Sequence, residues 1–254
     1  MAPVRTAVVP AAGSGTRMLP ASSAVAKELF PVGGVPALQW VLDEASGAGI
    51  ERLVVVSSPR KPEIAAYLTG RPLAFSEFEL VVQQEPKGLG DAIRVARQAV
   101  GDQAFAVLLP DEILLGGGRL LSEMLGVFNK NGRSVVSVMK VPREEVSAYG
   151  VIVPSEADGT GPSVVGCVEK PAQKEAPSLF ALSGRYVLGH DVLDVLGDLG
   201  PGAKGEVQLT DGLDRAARST GIDSVEVSEE DGRVDVGNWQ GWLDANVRTL
   251  AETS

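Results

Sequence analysis

One cysteine and one histidine stand in 254 residues. A lone thiol excludes an internal disulfide and a cysteine-rich zinc site, and Cys167, inside the apolar run Val164-Val165-Gly166-Cys167-Val168, is expected to pack in the core. Positive charge is also scarce. Lys and Arg number 23 against 33 Asp and Glu, a formal net charge of −10, which argues against nucleic-acid binding or docking on an anionic membrane, since both need a basic face. Any bound polyanion must be met by cations placed locally. No apolar stretch approaches the roughly 20 residues of a membrane span. The N-terminus carries only Arg5 before a run broken by Pro10, which is no signal peptide. The expectation is a soluble cytoplasmic protein that engages neither membrane nor nucleic acid.

What is present is alternation. Short apolar runs at Ala7 to Val9, Leu53 to Ser57, Glu79 to Gln83 and Phe105 to Leu109 read as buried strands. Helical spacing falls between and after them. Leu38, Val41, Leu42 and Ala45 make one apolar face, and Leu121, Met124, Leu125 and Phe128 make another. After a strand from Ser134 to Val141, shorter strands are expected around Tyr149 to Pro154, Val164 to Glu169 and Ala181 to Leu188. Helices return at Val192 to Leu199, Val207 to Arg218 and Trp239 to Leu250. This is the pattern of a largely parallel sheet flanked by helices, an α/β fold in a single domain over 1–254.

The chemistry concentrates near the start. The strand Val8-Val9 runs into Pro10-Ala11-Ala12-Gly13-Ser14-Gly15-Thr16-Arg17-Met18-Leu19-Pro20, followed by Lys27-Glu28-Leu29-Phe30-Pro31. A loop of small residues lets backbone N–H groups point at an anion, and Arg17 and Lys27 add charge beside it. The loop is not a Walker loop, because no Lys-Ser or Lys-Thr pair follows Gly15. Nor is it a dinucleotide fingerprint: Met18 stands where the third glycine belongs. An ordinary Gly-Ser turn is the plain alternative, and the two cations weigh against it.

The extended pattern G-x-G-T-R-x-L-P then K-E-x-x-P resembles the signature of the sugar-1-phosphate nucleotidyltransferases. Further segments match in order along nearly the whole chain: Gln83 to Ala92, Leu109-Pro110-Asp111, Tyr149-Gly150-Val151, Val168-Glu169-Lys170-Pro171, Gly184 to Leu188, Glu206 to Asp211 and Asp235 to Asn238. The resemblance implies a Rossmann-like, mixed, mostly parallel sheet, the nucleotide-diphospho-sugar transferase fold. It also implies that residues 1–140 bind mainly the nucleotide and 141–254 mainly the sugar phosphate. The implied reaction is attack of a sugar-1-phosphate oxygen on the α-phosphorus of a nucleoside triphosphate, with Mg2+ and release of pyrophosphate. UTP and glucose-1-phosphate are the expected pair. The alternatives are dTTP or another triphosphate with a different sugar-1-phosphate, or a regulatory protein that binds nucleotide without turnover.

Residue by residue, the resemblance makes Arg17 and Lys27 catalytic cations over the phosphates. Asp111 and Asp235 become carboxylates for the metal. Ala12, Gly13, Gly15, Thr16, Gln83 and Gly88 are implied nucleotide contacts, with Gln83 reading the base edge through an amide that can donate and accept. Gly150, Glu169 and Lys170 are implied sugar-phosphate contacts. Relatives form dimers or tetramers, so a homo-oligomer is expected. Departures from the family pattern occur at Ala26, where a proline is usual, at the shortened stretch 58–79, and at Val234, where histidine is frequent. A covalent-histidine route would have to use His190, which precedes Asp191 at an apparent helix start, far from every glycine or lysine block, and reads as a surface or capping residue.

Overall fold

Strand β1 (Thr6–Pro10) lies in the middle of a nine-stranded sheet, as its uninterrupted burial requires. The computed structural model describes residues 3–155, 161–202 and 205–252. After β1 the chain makes short turns and a small ladder, β2 (Pro31–Val32) with β3 (Val35–Pro36), before α1 (Ala37–Gly47) and β4 (Arg52–Ser57). Then come α2 (Pro62–Thr69), β5 (Glu77–Val82), α3 (Leu89–Val95), α4 (Arg97–Val100), β6 (Phe105–Leu108), β7 (Glu112–Leu114) and α5 (Arg119–Asn131). The second half supplies β8 (Val135–Lys140), β9 (Gly150–Pro154), β10 (Val164–Glu169), β11 (Phe180–Leu188), α6 (His190–Asp198), α7 (Leu209–Thr220), β12 (Asp223–Glu226), β13 (Arg233–Asp235) and α8 (Trp239–Glu252).

Strands β5, β4, β1 and β6 run parallel in that order. Next to β6 lies β11, antiparallel, with β8 antiparallel beyond it and β12 parallel to β8. The sheet is therefore mixed and mostly parallel, with strands from both halves of the sequence. Its two faces are sorted by the period of two in a strand: Ala7, Val9, Leu53 and Val55 face the core under α1 and α5, while Val8, Val54 and Val56 face the core under α3, α6 and α7. The apolar stripes expected on α1 and α5 are buried on the first of these faces. Cys167 is buried in the second core, and burial pushes its thiol up to about 12. Among the described residues no helix is long and apolar enough to cross a membrane.

Two details add to the sequence reading. His190 makes no capping bond; it is half-buried, with Nε2 3.4 Å from Asp194 and 3.3 Å from Arg97, and the N-cap of α6 is Gly189. The long strand β11 is also not regular, since its register with β8 shifts between Leu182 and Tyr186 around Gly184, which holds φ +76°. A Cβ at Gly184 would lie 2.7 Å from Cγ of Glu112, so the bulge makes room for that side chain.

Candidate active site

The carboxyl ends of the parallel strands β5, β4, β1 and β6 share one edge of the sheet, which is where an open α/β sheet binds its ligands. Ala12 and Gly13 follow β1, Gln83 follows β5, and Asp111 follows β6 after Leu109 and Pro110. Asp235 arrives from a separate element. Strand β13 pairs antiparallel with β7 so that Asp235 faces Glu112, and the Val236 N–H donates to the Asp111 carbonyl at 2.8 Å. This two-strand ladder brings together carboxylates that are far apart in the chain.

Arg17 spans them, with Nη1 3.2 Å from Asp235 Oδ2 and Nη2 3.6 Å from Asp111 Oδ2, while Lys27 Nζ bonds the same Asp111 oxygen. One point fixes the spacing: a Cβ on Gly237 would sit 2.7 Å from Asp111 Oδ2, 2.7 Å from Arg17 Nη2 and 3.0 Å from Asp235 Oδ1. The glycine keeps this cradle open. Burial alone would lower the Lys27 ammonium, but the carboxylates of Asp111 and Glu28 outweigh it and hold its pKa above the ordinary lysine value. Burial would likewise raise Asp111; Lys27 and Arg17 outweigh it and hold the carboxyl below the ordinary range. Both groups are charged near neutral pH.

Two cavities meet at Asp111. One, of about 280 Å³, is lined by Ala12, Gly13, Lys27, Gln83, Gly88 and Asp111; nothing lies within 4 Å of where a Gly13 Cβ would be. The other, of about 250 Å³, is lined by Arg17, Asp111, Gly150, Glu169, Lys170 and Asp235. In the second cavity Glu169 accepts from Thr210 Oγ1 at 2.6 Å and pairs with Lys170 at 3.1 Å. Lys170 is the non-glycine residue at positive φ, +44°, among the described residues, a strained setting of the sort found at functional positions. Gly15 and Thr16 line neither cavity; they form the turn that carries Arg17, with Gly15 at φ +66°.

The model of the nucleotidyl transferase family matches residues 6–252. The chain belongs to that family. This nucleotidyl transferase is 35% identical over 97% of its length to UTP–glucose-1-phosphate uridylyltransferase 2 of Staphylococcus saprophyticus, covering 92% of that protein. It is 36% identical over 96% of its length to the Bacillus subtilis UTP–glucose-1-phosphate uridylyltransferase YngB, covering 88% of it. Among solved structures it resembles UDP-glucose pyrophosphorylase complexed with UDP-glucose, at TM-score 0.88 and 30% identity over 98% of this chain and 99% of that one. UTP-bound UGPase from Acinetobacter baumannii matches at TM-score 0.84 and 31% identity over 96% and 93% of the two chains.

A nucleotidyl transferase generally uses a divalent metal, and the residues present fit one. Asp111 and Asp235 offer hard oxygen donors around the cradle at Gly237, which Arg17 bridges with positive charge. Among the described residues no group of three or more Asp, Glu, His or Cys could hold a metal by itself. Two carboxylates with substrate phosphates and water suit a magnesium-like ion.

Sequence reasoning missed the supports beneath this constellation. Glu28 is buried against Lys61, which bonds both its oxygens at 2.8 and 2.9 Å and also the Ala11 carbonyl at 2.9 Å, tying the Lys27 turn to the end of β1. Arg185 is fully buried on β11, pairs with Glu44 of α1, and donates to the carbonyls of Leu109 and Glu112 on either side of Asp111. An arginine inside the apolar strand Phe180–Leu188 is the one signal that could have found it.

Glu112 is the remaining charged group. Burial pushes its carboxyl up to about 7, Arg233 pulls it back, and Asp235 and Asp111 add to the rise. Oε1 accepts from Arg233 at 2.6 Å, and the buried Oε2 has no partner. A folded-state pKa above the unfolded value means stability fully present below about 4.5 and lost as pH rises through about 7. In metal-free protein this fall is expected to reach at most about 3 kcal/mol, and Glu112→Gln is expected to abolish it. Urea unfolding across that pH range in a chelator measures both.

Proposed function

We propose that this enzyme transfers the uridylyl group of UTP to glucose-1-phosphate, releasing pyrophosphate and UDP-glucose, with Mg2+. The observation that carries the reading is Asp111 at the junction of the two cavities, with Lys27 and Arg17 on its carboxylate. The relatives named for this activity support the choice of substrates.

In this reading the nucleotide occupies the cavity behind Gly13, Gln83 and Gly88, and the sugar phosphate the cavity of Gly150, Glu169 and Lys170. The division of labour falls mainly to residues 1–140 for the first and 141–254 for the second. A phosphate oxygen of glucose-1-phosphate forms a bond to the α-phosphorus while the bond from that phosphorus to the β-phosphate bridging oxygen breaks, and the electron pair leaves with pyrophosphate. The acceptor phosphate is largely dianionic at neutral pH, its second pKa being about 6, so no general base is needed. The protein's work is alignment and charge stabilisation. Lys27, nearly buried, places its ammonium at the reacting phosphate, and the more exposed Arg17 meets charge on the departing phosphates. Lys170 holds the phosphate of the sugar, Glu169 accepts from its hydroxyls, and the Gly150 backbone borders the ring. Asp111 and Asp235 would hold Mg2+, which would neutralise phosphate charge.

The implied homo-oligomer belongs to the same reading; Trp239, Leu243 and Val247 on α8 form an exposed apolar stripe that a second copy could cover.

A matrix of nucleoside triphosphates against sugar-1-phosphates, scored by pyrophosphate release, tests the assignment. The highest turnover is expected for UTP with glucose-1-phosphate and Mg2+, and a chelator is expected to abolish it. No release with any pair would favour a nucleotide-binding protein without turnover.

A further inference from the structure

Gln83 is a base-reading candidate, and an amide free to rotate could present either a donor or an acceptor to a base. Here it is not free. The residue is 4% exposed, its backbone N–H donates to the Ser57 carbonyl at 2.8 Å, and its side chain borders the nucleotide-side cavity. Nε2 lies 2.7 Å from Asp91 Oδ2 and 3.3 Å from the Gly88 carbonyl oxygen. A carboxylate and a carbonyl can only accept, so the nitrogen must face both, and the partners themselves dictate which end of the carboxamide is which. Both amide protons are thereby engaged. What remains for a base is Oε1, an acceptor.

Asp91 is itself held. It is 4% exposed in the first turn of α3, and its other oxygen, Oδ1, accepts from Arg94. Turning the Gln83 amide over would set Oε1 against the Asp91 carboxylate and the Gly88 carbonyl, opposing acceptors in a buried place and leaving the Asp91 oxygen without its donor. Such an arrangement is costly because water cannot repair it.

We infer that Asp91 is a positioning residue that locks the Gln83 carboxamide as an acceptor toward the base, so that the enzyme selects a base with an N–H at the edge facing Gln83. Uracil and thymine carry that group as the imide N3–H; cytosine carries a lone pair on the same atom. The lock separates U and T from C and does not separate U from T. It rests on the proposed function only in taking the cavity beside Gln83 as the seat of the base. Lys87, in the same loop, is paired at the surface with Glu85 at 2.9 Å and has no part in the lock.

The test compares wild-type protein with Asp91→Asn, whose amide can donate to Gln83 Oε1 and let the carboxamide turn over. Affinity for UTP and CTP is measured by calorimetry, and turnover with glucose-1-phosphate by pyrophosphate release. The UTP preference over CTP is expected to fall tenfold or more in Asp91→Asn, in binding and in kcat/KM, while the KM for glucose-1-phosphate stays unchanged. A merely structural role for Asp91 would weaken both triphosphates equally, and an unchanged UTP-to-CTP ratio in the folded variant overturns the inference. N3-methyl-UTP gives a second measurement that needs no variant: wild-type protein is expected to bind it at least tenfold more weakly than UTP, and equal affinity overturns the lock. If the ratio shifts in binding while no triphosphate turns over, the inference stands and the proposed reaction falls. Turnover with an unmoved ratio has the opposite meaning.

Discussion

Lys27→Ala is expected to lower kcat for pyrophosphate release by about a hundred- to a thousandfold, the usual effect of deleting one preorganised charge from a transition-state site. The reason is local. Lys27 is 12% exposed, bonded to Asp111 and next to the buried Glu28, so its ammonium has little water to displace when phosphate charge moves toward it. Water entering the mutated site must reorganise around the moving charge, at a free-energy cost that a fixed cation avoids. The fold should survive, because Glu28 keeps its bonds to Lys61 and the turn keeps its tie to Ala11. Circular dichroism and thermal melting check that point. Lys27→Met, which keeps most of the side-chain volume, should lose as much turnover, and a folded variant of either kind with near-normal turnover would remove Lys27 from the mechanism.

The other large effect is expected at a buried residue beneath the site, which lines neither cavity. Arg185→Met should destabilise the protein by about 3–5 kcal/mol, the range for breaking a buried ion pair and leaving one charge unpartnered. Glu44 would be that charge, bonded at present through Nε at 2.9 Å and Nη2 at 2.6 Å. The same guanidinium donates to the Leu109 carbonyl at 3.2 Å and the Glu112 carbonyl at 2.6 Å. Loss of those bonds loosens the turn that aims Asp111, so turnover at saturating UTP should fall as well. The double variant Glu44→Met with Arg185→Met separates the two contributions. Removing both charges should restore much of the stability, since no ion is left buried, yet turnover should stay low because the two carbonyls still lack their donor. Denaturant unfolding beside kinetics reads both. Full stability in the single variant, or full turnover in the double, would show that Arg185 does not hold this turn.

Much of this architecture was legible in the chain. The apolar runs at Ala7 to Val9 and Phe105 to Leu109 became β1 and β6 within a residue or two, since a strand buried on both faces must be apolar throughout. The helical stripes of α1 and α5 were readable for the same kind of reason: their period leaves one face to bury. Element ends moved where polar residues begin or end a strand. Strand β5 starts at Glu77 rather than Glu79 because its partner is one strand, β4, and its side chains stay partly exposed. The ladder of β7 with β13 was not readable, since three-residue strands carry too little pattern to announce a pairing.

The candidate site divides along a similar line. Arg17, Lys27, Asp111 and Asp235 could be named from motif blocks, because charged residues set among glycines and at strand ends are a local feature of the sequence. The convergence of Arg17 and Lys27 on one Asp111 oxygen could not, and nor could the partners Glu44, Lys61 and Asp91, each an ordinary polar residue until folding buries it opposite a specific group. The sequence by itself determined the layered α/β fold and the inventory of phosphate-facing residues, since periodicity and small-residue loops are written in neighbouring positions. Only the tertiary structure decided which charges meet, which end of an amide faces the cavity, and which buried pairs hold the catalytic turn. Electrostatic and hydrogen-bond energies depend on distance and burial, and both are set by contacts between residues that lie far apart along the chain.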